Sequence, residues 1–190
     1  MNNKKEILAN LILGLLNKAK EAPKTKLAKL ILFAEIEHFR KTGDSITRLY
    51  FIRMRNGPVI AFFDEVLEDG EGGLWHKKKT LIPIIEEGRN KFQYSYIARV
   101  KTDLPSEVRE TIDKVYQEYG HKTGTSLSTL SHSLPAWKYS EPNEPIYVAE
   151  LAVKNEEEYF ALTDLVEGLE DEDDEVLAEK LSQALSRIEV

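Results

Sequence analysis

The chain has 190 residues with a net charge of −7; 42% are hydrophobic and 31% charged, which allows a packed core and excludes global disorder. There is no cysteine, so disulfides, thiolate metal sites and a cysteine nucleophile are all excluded. The charge is uneven: residues 154–190 carry 13 acids and 3 bases, while residues 1–153 carry 20 acids and 23 bases. The pattern is that of a mildly basic body, residues 1–153, followed by an acidic extension, residues 154–190.

The first apolar stretch, Ile7–Leu16, repeats at helical spacing through Ile7, Leu8, Leu11, Ile12, Leu15 and Leu16. Asn10 interrupts it, and the residues after it make a poor cleavage site, so it reads as an amphipathic helix and not as a leader segment. No stretch reaches the length of a transmembrane helix, so no membrane partner is expected. A second helix is expected over Lys26–Lys41, capped by Thr25 and ended by Gly43. Its centre is apolar nearly all round, the mark of a helix buried on more than one side. Arg48–Met54 reads as a strand. Pro58 then suits the first turn of a helix through Val59, Ile60, Phe62, Phe63, Val66 and Leu67.

"HKKK" (His76–Lys79) reads as a surface loop, Leu81–Ile85 as a weak strand, and Phe92–Val100 as a clear alternating strand. A helix follows Pro105 and stops at Gly120, with Val108, Ile112, Val115 and Tyr119 on one face. "TSLSTLSHSLPAW" (Thr125–Trp137) reads as a short helix packed on Leu127, Leu130 and Leu134, closed before Pro135. Pro145–Val153 is expected to be a strand. Asn155 and Glu158 form a capping box for a tail helix, and Val176–Ile188 is a second one. Helices dominate, with three or four strands, so the fold expected is α+β, mainly helical with a small antiparallel sheet.

Candidate chemistry is sparse. Ser128 and His132 stand four apart, but one such pair meets only part of what a nucleophile, base and oxyanion site require, and no G-x-S-x-G elbow exists. "EIEH" places Glu35 and His38 three apart, yet a carboxylate-bridged metal pair needs a second such motif. The run Glu170–Glu175 lacks the spacing of a calcium loop. "GHKTGTS" (Gly120–Ser126) is not a phosphate loop, because it lacks the G-x-x-x-x-G-K pattern. Basic residues beside Trp75 and in Arg48–Arg55 do not make a phosphate-binding surface on a chain of this charge, so nucleic acid is not an expected partner. No catalytic residue, metal or cofactor is assigned.

Three blocks resemble the SocA-like, or Panacea, antitoxin domain. They are "KLAKLILFAEIEHFRKTGDSI" (Lys26–Ile46), "FIRMRNGPV" (Phe51–Val59) and "LSTLSHSLPAW" (Leu127–Trp137), with Ile146 after a short turn. The resemblance runs loosely over residues 5–153. Phe33 stands where tyrosine is common, and Ser133 and Leu134 follow the histidine where a charged pair is often found. The residues that carry the pattern are Lys26, Lys29, His38, Gly57, Pro58, Val59, His132 and Trp137. The resemblance implies a bacterial or phage cytoplasmic protein that neutralises a cognate protein toxin by direct binding. In some members it implies delivery of that toxin to a protease. A small serine hydrolase using Ser128 and His132, or a DNA-binding regulator, is the alternative reading. In either packing role, His132 and Trp137 are expected to hold the end of their helix against the domain.

Overall fold

The computed structural model describes residues 3–84, 89–166 and 176. The expected tail helix Val176–Ile188, apart from Val176, and the acidic run Glu170–Glu175 lie outside the described residues.

One helix organises the fold. α2 (Lys24–Thr42) buries nearly its whole circumference from Leu27 to Ile36, as its unbroken apolar centre demands. Helix α1 (Asn3–Ala19) lays Leu8, Leu11, Ile12, Leu15 and Leu16 into the core, all fully buried. α4 (Ser106–Tyr119) packs on α1 and α2 through Val108, Ile112 and Val115. α2 begins directly after Pro23, whose fixed φ of −59° feeds the first turn, so Thr25 lies inside the helix and does not cap it. Gly43 ends it with φ 75°, its N–H donating to Phe39 O. That left-handed residue is the glycine stop the sequence announces.

Two three-stranded antiparallel sheets flank this core. One has the order β1-β5-β4, from β1 (Ala22–Pro23), β4 (Trp75–Ile84) and β5 (Arg89–Ala98). The other has the order β3-β2-β6, from β2 (Phe51–Ile52), β3 (Val59–Ile60) and β6 (Pro145–Ile146). The remaining elements among the described residues are helices α3 (Phe63–Asp69), α5 (Gly124–Ser131), α6 (Pro135–Tyr139), α7 (Val148–Ala152) and α8 (Glu156–Val166). The chain is therefore α+β and mainly helical, as expected. No described helix is long and apolar enough to cross a membrane.

Four further local expectations are corrected. Val59 and Ile60 form β3 and not a helix. They pair with Ile52 and Phe51, and helix α3 starts only after Phe62, which sits at φ 62°. The spacing of apolar residues was helical, but the sheet partner decided the backbone. His76–Lys79 is the first half of β4 and not a loop, paired residue for residue with β5 from Trp75↔Ala98 to Ile84↔Arg89. Only Pro145 and Ile146 of the expected Pro145–Val153 strand pair in a sheet; Val148–Ala152 is helical, begun where Tyr147 N–H donates to Glu150 Oε2 at 2.7 Å. On α5, Leu127 is buried but Leu130 is 38% exposed, and the face turned inward is Leu127, Ser128 and Ser131. Ser131 and Ser133 donate back to the carbonyls of Ser128 and Leu130. The first of these bonds lets Ser131 lie on the buried side of the helix end with its donor met, while Ser133 faces solvent.

Candidate functional site: a buried polar junction

The sequence brings three separated stretches to one place. α2 supplies Lys29, the turn before β3 supplies Gly57 and Pro58, and the α5–α6 corner supplies Ser131, His132 and Trp137. Lys29 is 1% exposed, and its Nζ donates to Pro58 O at 2.6 Å. Burial pushes its ammonium down to about 7, because loss of water disfavours the charged form. Gly57 lies directly over this amine at φ 89°. A Cβ there would come within 2.8 Å of Lys29 Nζ and collide with Ser131 Oγ. Here glycine is required twice over, by backbone conformation and by space.

Arg53, Trp137 and His132 form a layered stack at the edge of the junction. The His132 and Trp137 rings lie 4.0 Å apart and 12° from parallel. The Arg53 guanidinium sits 4.6 Å from the Trp137 ring centroid. Trp137 Nε1 donates to Met54 O at 3.0 Å, and Arg53 Nε donates to Trp137 O at 3.2 Å. These two bonds tie α6 to the strand end of β2. Backbone bonds from Arg53 N to Glu144 O and from Asn143 N to Arg53 O bring the approach to β6 to the same place. Burial, then the charges of Lys29 and Arg53, hold the His132 ring below its ordinary pKa. A neutral imidazole stacked on an indole that also faces a cation avoids a second positive charge in the stack.

Ser128 Oγ and His132 Nε2 are both buried without a hydrogen-bond partner. The two are therefore not joined as nucleophile and base, and the spacing that allowed such a pair is not used. Glu35 and His38 do not face a common site either. Glu35 is fully buried and clamps the turn after α2: Ile46 N–H donates to Oε2 at 2.8 Å, and Thr47 N–H and Oγ1 donate to Oε1 at 3.1 and 2.5 Å. Burial raises its carboxyl to about 7 against the pull of these donors. His38 Nδ1 meets Thr111 Oγ1 at 3.3 Å, joining α2 to α4. Among the described residues no three histidines or carboxylates gather as a metal site.

The residues singled out in the sequence thus fall into two groups. Lys29, Gly57, Pro58, His132 and Trp137 converge at the junction, with Val59 beginning the strand beside it. Lys26 and His38 stand apart, Lys26 Nζ donating to Gly120 O at 2.6 Å and His38 facing α4. Sequence reasoning passed over Arg53, Ser131 and Thr47. Arg53 had a signal in its place two residues after Phe51, but its neighbour Trp137 is remote in sequence.

Comparison with curated proteins and with solved structures yields no match. The family model described as "Antitoxin SocA-like, Panacea domain" matches residues 27–138. That span opens in α2, takes in Lys29, Gly57 and Pro58, and closes one residue after Trp137, so it encloses the whole junction. With well over half of its length matched, the chain belongs to the SocA-like Panacea antitoxin domain family.

Proposed function

We propose that the chain neutralises a partner toxin by direct protein–protein binding, with no catalytic step and no cofactor. The observation that carries this reading is the family match over residues 27–138. Its supporting argument is chemical. The titratable residues of the junction are committed to packing and to backbone hydrogen bonds, and the Ser128–His132 pair has no proton path between its members. Such a protein acts through its surface. In an adaptor mode, the bound toxin would be handed to a protease, so neutralisation would be accompanied by loss of the toxin itself.

The test is co-expression with the product of the adjacent gene. The expected result is growth arrest by that product alone, rescue by this chain, and co-purification of the two. Toxin half-life, followed after synthesis is stopped, separates the two modes: a shortened half-life marks delivery to a protease, an unchanged one marks simple occlusion. Rescue without any physical complex would contradict direct binding.

A further inference from the structure

The β4–β5 hairpin leaves one strand edge open. β4 stands at the outside of its sheet, and β1 covers β5 only opposite Tyr96 and Ser95. From His76 to Leu81, β4 therefore has a neighbour on one side only, among the described residues. Its other side presents backbone N–H and C=O groups over about 20 Å, a template for one more strand.

The side chains along that edge say what the strand would be. The two strands hold five bases, Lys77, Lys78, Lys79, Arg89 and Lys91, and no acid. One face aligns Lys77, Lys79 and Leu81 with Tyr96, Tyr94 and Phe92. Leu81 is 53% exposed and Phe92 57%. Lys79 Nζ lies 3.7 Å from the Phe92 ring centroid and Lys77 Nζ 4.8 Å from that of Tyr94. These ammonium groups already occupy the ring faces, which removes the stacking platform a single-stranded nucleic acid needs. A second copy of the chain is disfavoured too, because pairing β4 with β4 sets two lysine runs against each other. An extended segment of opposite charge meets neither obstacle.

We infer that the outer edge of β4 takes an acidic, extended segment of the partner protein as an added strand, its carboxylates meeting Lys77 and Lys79 and an apolar residue on the same face covering Leu81 and Phe92. That the partner is a toxin rests on the reading above; the edge site itself does not. The experiment uses the full chain and three labelled probes of about ten units, a length that spans the edge. They are a Glu/Val peptide that sets Glu, Glu and Val in turn on one face with Thr on the other, a Lys/Val peptide with Lys in place of each Glu, and an oligouridine. The Glu/Val peptide is expected to bind alone, to weaken steeply with salt, and to slow hydrogen exchange at the His76–Leu81 amides. Lys77→Glu with Lys79→Glu is expected to weaken it by about tenfold or more. Circular dichroism checks that this variant folds, and Lys77→Gln with Lys79→Gln serves if it does not. No binding of the Glu/Val peptide, equal binding of both peptides, capture of the oligouridine, or exchange protection caused by self-association would each overturn the inference. Peptide binding with no rescue on co-expression would remove the toxin reading and leave the edge site standing; rescue with no peptide binding would do the reverse.

Discussion

The junction around Lys29 and the hairpin of β4 and β5 use the same residue types to opposite ends. In the junction a lysine is buried, its amine spent on a carbonyl, and a tryptophan donates its N–H to the backbone. On the hairpin, lysines ride over exposed rings and the apolar side chains face outward. The first arrangement gains from being closed and loses from any change in volume. The second leaves apolar area uncovered, which is tolerated where a partner covers it. The lesson is that Lys29, Gly57, His132 and Trp137, which carry the resemblance, hold the fold, whereas the proposed docking edge carries none of them.

The comparison can be broken most severely at Gly57. Gly57→Ala places a Cβ against Ser131 and Lys29 at a left-handed φ, and is expected to cost about 3 kcal/mol in denaturant unfolding. Trp137→Ala removes the Met54 hydrogen bond, the His132 stack and the Arg53 contact together, with an expected loss of about 2–3 kcal/mol because the ring is partly exposed. Glu35→Gln turns one acceptor of the α2 clamp into a donor facing a donor, for an expected loss of about 1–2 kcal/mol. Lys77→Glu with Lys79→Glu changes stability least, by under about 0.5 kcal/mol, since the long Lys77–Glu71 pair and the two ring contacts it gives up lie at the surface.

The pH dependence sharpens the same contrast. Lys29 is pushed down to about 7 from an ordinary 10.5. Between those values the unfolded chain holds the proton and the folded chain does not, so stability rises with pH across that window. Glu35 and Glu150, both raised to about 7 from 4.5 by burial, act in the lower window. There the folded chain holds the extra protons, and their contribution to stability grows as pH falls from about 7 towards 4.5. Unfolding midpoints measured in Lys29→Met should lose the alkaline rise and keep the acidic one. A rise that survives in Lys29→Met would show that another group carries it.

How much of this could be read without coordinates depends on where the information lies. α1 and α2 were legible because their apolar residues repeat within one helix and Pro23 and Gly43 punctuate them. The first half of β4 was not, because Lys77 and Lys79 occupy the face that a strand pattern reserves for apolar residues; their carbon stems and ammonium groups cover Phe92 and Tyr94 instead. Val59–Ile60 and Val148–Ala152 are short apolar runs, for which strand and helix cannot be separated by periodicity alone. Lys29, Gly57, His132 and Trp137 were marked by resemblance. That they meet one another is a tertiary fact, and so is the inward turn of Ser128 and Ser131 in place of Leu130.

The division between a closed junction and an open edge is tested most directly by titrating the co-purified partner against the Lys77→Glu/Lys79→Glu chain, with its unfolding midpoint measured on the same sample. The account predicts an unchanged midpoint and an affinity weaker by about tenfold or more. Full affinity in that variant would contradict it and would move recognition away from the hairpin.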